Sequence, residues 1–254
     1  MIKTDDSLIP SEILMTTQFI GHTTKEMFVE KGDELFELFC KNSDITPNAK
    51  VLDVGCGLGR LARPFARYLS GCGEYWGVDV EKTSIEWCKD RYGKRFMNFH
   101  FSHINVYNKS YNPTVEKTEL PFKFAFEENT FDFVFALSVF THMHSRDISQ
   151  YMWEVGRILK PGKSFICTWF LLNTESKSNL KMGLSREDFK YEIPDGLTKN
   201  RETPEIGMAY PEELVRKFYE KSHLTIRDPI RYGLWSGRKD FFRYQDFVFA
   251  SKTG

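Results

Sequence analysis

Val51-Leu-Asp-Val-Gly-Cys-Gly-Leu-Gly-Arg60 is a short apolar run that ends in an acid and a cluster of glycines. Glycine takes φ above zero and carries no side chain, so a strand that stops in such a cluster brings bare backbone up to a ligand. A helix expected from Leu58 to Leu69 then aims its first N–H groups, and the positive end of its dipole, at the same space. A carboxylate suits that place. The next strand, expected over Tyr75–Val80, ends in Asp79, an acid able to accept hydrogen bonds from both hydroxyls of a ribose. The glycine spacing is G-x-G-x-G with Asp53 two residues ahead of it. Dinucleotide folds use G-x-G-x-x-G, so the spacing argues against nicotinamide or flavin cofactors.

Working outward, strands and helices alternate, the pattern of a parallel sheet covered by helices. Lys50–Val54 is the first strand, and a helix is expected from Thr83 to Tyr92. Strands follow over Asn98–His103, Phe131–Leu137 and Ser164–Trp169, the last reached through the turn Lys160-Pro-Gly-Lys163. Ser145 is expected to cap the helix that runs to Leu159. Residues 1–45 read as a helical preface, closed by the break Thr46-Pro47-Asn48. The polar stretch 171–209 reads as a long loop, a length that in a compact domain goes with function or mobility. Pro211 opens another helix, and Leu224–Asp228 and Asp246–Ala250 close the chain as strands.

The 254 residues suit one large α/β domain, with 41% hydrophobic and 28% charged residues. Lys plus Arg equals Asp plus Glu at 35 each, which gives no electrostatic footprint for nucleic acid. The five cysteines, Cys40, Cys56, Cys72, Cys88 and Cys167, form no CxxC pair, so the expectation is free thiols in a reducing cytoplasm and no metal. No stretch is apolar enough to span a membrane, and no membrane partner is expected.

Four segments in order resemble the motifs of the class I S-adenosylmethionine-dependent methyltransferases: Val51–Gly59, Trp76-Gly-Val-Asp79, Phe131-Asp-Phe-Val-Phe-Ala-Leu137 and Val155-Gly-Arg-Ile-Leu-Lys-Pro-Gly162. The resemblance covers residues 48–170. It implies an α/β, Rossmann-like seven-stranded, mostly parallel sheet with helices on both faces and an antiparallel final strand. The preface at 1–45 becomes an N-terminal helical cap on a methyltransferase domain at 46–254, with 171–209 as a lid-like insertion. It implies S-adenosyl-L-methionine as cofactor and S-adenosyl-L-homocysteine as product. Gly55, Cys56 and Gly57 then line the methionine part, Asp79 holds the ribose and Asn105 receives the adenine amino group, with Asp53, Gly59, Arg60, Val80 and Val106 as further cofactor contacts. Asn105 stands where the family commonly has Asp; its carbonyl can accept the same amino group. Leu137 ends the fourth strand as a further cofactor contact, and Ser138 follows it, where the family's backbone often meets the donor's amino group.

The acceptor belongs beyond the carboxyl ends of the strands. Ser138-Val-Phe-Thr-His142-Met-His144 follows strand four. Methyl transfer from a sulfonium needs alignment, plus a base where the nucleophile is a hydroxyl or a protonated amine. Histidine suits that role near neutrality, so His142 is the first candidate base and His144 the second. Tyr107, Tyr111, Trp169, Tyr232, Trp235 and Arg238 are candidate acceptor contacts, with Arg238 suited to an anionic group on a small molecule. A histidine that merely satisfies a loop carbonyl, and a hairpin cation–π pair at Trp235 and Arg238, are the plain structural alternatives.

Ser138-Val-Phe-Thr-His-Met143, Tyr111-Asn-Pro113 and Trp235-Ser-Gly-Arg238 together look like a bacterial small-molecule subgroup of the family. The reading is therefore methylation of a hydroxyl on a sugar, a phosphorylated metabolite or a surface-polysaccharide precursor, by a cytoplasmic monomer or homodimer. Methylation of an amine is the alternative. A nucleic-acid methyltransferase would need a basic face, and for exocyclic amines an Asn/Asp-Pro-Pro-aromatic motif where Ser138-Val-Phe-Thr141 stands. A donor-binding partner subunit without catalysis remains the other class.

Overall fold

Strand β1, Lys50–Val54, is buried from Val51 onward, as a strand covered on both faces must be. The computed structural model describes residues 5–17, 24–109, 112–114 and 122–254. Tyr111 lies outside the described residues. The chain divides into two compact units, Met1–Asn105 and Val106–Gly254.

In the first unit, α1 (Glu12–Thr17) and α2 (Lys25–Asn42) precede β1. After β1 come α3 (Ala62–Tyr68), β2 (Glu74–Asp79), α4 (Lys82–Cys88) and β3 (Phe99–His103). β1 pairs in parallel with β2, and β2 with β3. Thr24 caps α2 by accepting from Met27 N. Aromatic pairs fill part of this core: Tyr75 stacks on Phe99 at 5.1 Å, and Phe36 meets Phe65 edge-on at 5.0 Å.

In the second unit, β4 (Phe131–Ala136) and β5 (Leu159–Trp169) flank α5 (Ser145–Ile158). The expected turn at Lys160–Lys163 is absorbed into β5 as a register shift, with Gly162 at φ 74°. His144, not Ser145, holds the position before α5; Ser145 Oγ instead donates to Asp195 Oδ2. Glu154 is fully buried in α5 and paired bidentately with Arg157, and it accepts from Phe124 N at 2.7 Å.

The stretch expected as a long loop is folded. It contains β6 (Leu171–Leu172), α6 (Thr174–Lys181), β7 (Tyr191–Ile193), β8 (Gly196–Thr198) and β9 (Met208–Pro211). These strands form a second sheet in the order β6-β9-β8-β7. Three-residue strands lie below the length at which an alternation can be read. α7 (Glu212–Lys221), β10 (Leu224–Ile226) and β11 (Asp246–Lys252) complete the unit.

The main sheet has seven strands in the order β10-β11-β5-β4-β1-β2-β3. β11 runs antiparallel to β5 and to β10, while β4 and β5 are parallel. This is the α/β, mostly parallel sheet with an antiparallel final strand that the motifs imply.

Candidate functional site

The glycine loop after β1 is held by hydrogen bonds to the strand beside it. Gly55 N and Cys56 N both donate to Val78 O, at 2.8 and 3.1 Å. Asp79 Oδ2 accepts Gly57 N–H at 2.7 Å, and Oδ1 accepts Glu81 N–H at 2.9 Å. The acid expected to hold a ribose thus also holds the loop. Gly55 and Gly57 take φ of 78° and 49°. Gly59, at φ 74°, has no room for a side chain: a Cβ would stand 2.7 Å from the Tyr92 ring.

The helix begins later than the sequence suggests. Leu58–Leu61 are turns, and α3 starts at Ala62. The N–H groups of the loop therefore do not open a regular helix. What fixes the loop instead is the N-terminal segment. Met15, Phe28 and Leu58 form one buried cluster, with Trp87 against it. Gly32 of α2 lies so close to the loop that a Cβ there would stand 2.7 Å from Arg60 O. Arg63, buried, donates to Val29 O at 3.0 Å and pairs with Asp33 at 2.6 Å. Sequence reasoning missed the contacts that reach the loop because they join residues more than twenty positions apart; a glycine inside a helical pattern was the one available signal.

Asp53 is buried, and the Tyr75 hydroxyl donates to its Oδ2 at 2.5 Å. Burial pushes its carboxyl up to about 7. Burial likewise raises Asp79 and lowers the Arg60 guanidinium. Arg60 Nε is buried without a hydrogen-bond partner among the described residues. Burial, with Cys88 beside it, holds the Cys56 thiol well above its ordinary value, so it stays protonated and unreactive. Beyond Asp79, Val80 is half-buried and its carbonyl meets His103 Nε2 at 3.0 Å; Asn105 is exposed. Asp53, the loop, Arg60, Asp79, Val80 and Asn105 all fall within the first unit. Glu81 was not singled out from sequence; it caps α4 by accepting from Thr83 N and Ser84 N.

The remaining candidates belong to the second unit. Val106 and Tyr107 are half-buried. Leu137 is half-buried, and Ser138 is exposed with a φ of 56° that few non-glycine residues adopt. Ser138 N donates to Thr168 Oγ1 at 2.8 Å, and its hydroxyl donates to Gln245 Oε1 at 2.9 Å. His142 and His144 converge on one residue that the sequence did not reveal. His142 Nδ1 lies 2.7 Å from Glu205 O, and His144 Nε2 lies 3.2 Å from Glu205 Oε1. Glu205 is buried, and its second oxygen has no hydrogen-bond partner among the described residues. Because a carbonyl only accepts, Nδ1 of His142 must carry its proton, which assigns Nε2 the lone pair of the neutral ring. Burial lowers the His142 pKa.

The aromatic candidates divide. Trp169 is fully buried against Phe140 at 5.0 Å. Trp235 is fully buried among Phe170 and Phe189, and its Nε1 donates to Asp246 Oδ2 at 2.7 Å. Tyr232 is half-buried, donates to Glu212 Oε2 at 2.8 Å, and carries the Arg238 guanidinium over its ring at 4.3 Å. Arg238 itself is buried, paired with Glu175, and donates to Asn173 Oδ1 at 2.8 Å. Its charge is already answered inside its own unit. No group of three or more His, Cys, Asp or Glu able to hold a metal occurs among the described residues.

Residues 51–162 match the model of a family described as a methyltransferase domain. The methyltransferase GfsG of Streptomyces halstedii is 29% identical over 133 residues, 52% of this chain and 42% of the relative. The sterol 24-C-methyltransferase erg6 of Schizosaccharomyces pombe is 29% identical over 60% of this chain and 36% of its own. The chain thus spans less than half the length of these relatives. The crystal structure of the PH0226 protein from Pyrococcus horikoshii OT3 matches in fold with a TM-score of 0.61 at 17% identity, over 94% of this chain and 96% of that one. The motif order, the seven-stranded sheet and the family match agree: over residues 51–162 the chain is similar to the methyltransferase domain, and its fold is that of solved S-adenosylmethionine-dependent methyltransferases.

Proposed function

We propose that this protein transfers a methyl group from S-adenosylmethionine to a hydroxyl of a small molecule, with His142 as the base. The loop fits the donor. Gly55 is exposed at positive φ, so its backbone is open to close approach, and Arg60 keeps a buried donor without a partner among the described residues. Asp79 has accepted two N–H groups, which leaves lone pairs on both oxygens for ribose hydroxyls. Gly55, Gly57 and Arg60 would hold the methionine end, Asp79 and Val80 the ribose, and Asn105 the adenine. When bound, the donor supplies a methyl carbon made electrophilic by its sulfonium.

The observation that carries the hydroxyl reading is the tautomer of His142. With Nδ1–H donated to Glu205 O, Nε2 is a proton acceptor, and burial keeps the ring neutral at physiological pH. A hydroxyl must lose its proton as it attacks, and a neutral imidazole takes it; a preformed carbanion needs no such group. The buried Glu205 carboxylate beside His144 favours a neutral or cationic acceptor over an anionic one. Arg238, the anchor expected for an anion, is paired with Glu175, so the proposed acceptor is a polyol or sugar rather than a phosphorylated metabolite.

The test uses tritiated donor and a panel of sugars and small alcohols. His142→Ala should reduce transfer about a hundredfold or more and leave S-adenosylhomocysteine binding unchanged. Equal transfer by the variant removes His142 from the reaction.

A further inference from the structure

We propose that the face formed by residues 181–187 and 231–244 docks on an anionic lipid surface. The sequence expectation of no membrane partner came from the lack of a spanning segment, and no helix among the described residues is long and apolar enough to cross a membrane. A surface loop is a different case.

Ten large apolar or aromatic side chains are exposed among the described residues, and five of them lie on these two segments: Met182, Leu184, Phe241, Phe242 and Tyr244. The segments are fastened side by side. Arg186 N and Ser185 Oγ both donate to Trp235 O at 2.8 Å, and Tyr244 OH donates to Glu187 Oε1 at 2.6 Å. Gly237 lies against Leu184, where a Cβ would stand 2.1 Å from its carbonyl oxygen. Five exposed apolar groups on one tied pair of segments form a patch, and patches of this kind mark contact surfaces.

Charge decides between occupants. The chain as a whole is neutral, yet Arg227–Arg243 holds five basic residues against two acidic ones. Lys181, Arg186, Arg231 and Lys239 are exposed, and none of the four enters an ion pair among the described residues. Apolar side chains interleaved with unpaired cations fit a surface whose headgroups are anionic and whose interior is hydrocarbon. Nucleic acid would use the cations and the aromatic rings but gives Met182 and Leu184 nothing to bury against. A second copy of the chain would bring like charges together.

The inference does not depend on the acceptor or on methyl transfer. The full chain is sedimented with vesicles of phosphatidylcholine alone and of phosphatidylcholine mixed with phosphatidylglycerol. Binding is expected to the mixed vesicles only, and to weaken with salt. Arg186→Glu with Lys239→Glu should lower the partition coefficient on the order of tenfold or more. Phe241→Ser should lower it about fivefold. The charge pair decides the matter if the Phe241 variant fails to fold. Absence of binding, equal binding to both vesicles, or variants that bind like the parent overturns the proposal. So does concentration-dependent dimerisation that the same substitutions abolish, which would assign the face to a second copy.

Discussion

Asp79 Oδ2 receives the Gly57 N–H at 2.7 Å, so the acid at the end of β2 shapes the loop at the end of β1 before any ligand arrives. A charge-assisted hydrogen bond of this kind contributes about 1.5–3 kcal/mol. Asp79→Ala should therefore weaken S-adenosylhomocysteine binding about tenfold to a hundredfold, through both lost loop support and lost ribose contacts. Calorimetry measures it. Unchanged affinity would show that Asp79 serves neither.

Gly32→Ala tests the brace behind the loop. Alanine in a helix interior normally stabilises by about 1 kcal/mol. Here the new Cβ would stand 2.7 Å from the Arg60 carbonyl oxygen, a backbone atom that cannot swing away. Overpacking costs about 1–3 kcal/mol, so the net effect is a lower melting temperature and weaker donor binding. Gly71→Ala, with open space around its Cβ, is the control and should be close to neutral. A stabilised Gly32→Ala variant contradicts the contact.

Asp246 accepts Leu171 N, Gly233 N and Trp235 Nε1, at 2.7, 2.6 and 2.7 Å, which ties two segments of the second unit to β11. Asp246→Ala leaves three buried donors without a partner and should cost about 3 kcal/mol or more in denaturant unfolding. Asp246→Leu, which cannot accept either, should do no better. A loss below about 1 kcal/mol would mean that water or a shifted backbone replaces the carboxylate.

Burial raises Asp53 and Asp246 to about 7 from the ordinary 3.8. Between those values the folded chain holds protons that the unfolded chain has released. The stability these groups contribute is present in full below the unfolded value and is lost as pH rises through the folded one. Unfolding by urea should therefore need more denaturant at about pH 5 than at about pH 8. Asp53→Asn should flatten that slope. A slope of the opposite sign would place the ionised forms in the folded state.

With His142 as the proposed base, its ring, lowered below the ordinary 6.5 by burial, should set the acid limb of methyl transfer. Since the base works only when neutral, turnover should persist below pH 6.5 and fall only as the pH drops through the lowered value. His142→Gln should abolish that limb along with most of the rate. A limb above 6.5 points to a different group.

Where the chain alternates strand and helix, the sequence placed its elements within a few residues, because a buried parallel strand and a glycine turn are local patterns. The start of α3 was misplaced by four residues. Leu58 has the apolarity of a helix position, but its side chain belongs to the cluster with Met15 and Phe28, and that pull keeps Leu58–Leu61 in turns. Strands β7 and β8 were illegible because each is three residues long. The candidate site was legible as far as it is local: the glycines, Asp53, Asp79 and the two histidines. Glu205 lies more than sixty residues from His142, on a turn whose Pro204 and Gly207 read only as loop. Trp235 and Arg238 carried the right chemistry for a ligand, and long-range partners, Asp246 and Glu175, already use it.

The contact between Gly32 and Arg60 has a consequence for how the chain can be cut. The stretch that matches the methyltransferase domain begins at residue 51, yet the mould in which its glycine loop is cast is made by residues ahead of that point. A fragment trimmed to the recognisable domain would keep every motif and lose the wall against which the first of them is set. In this protein the N-terminal helices are part of what holds the glycine loop, and the packing around that loop starts well before the matched stretch does.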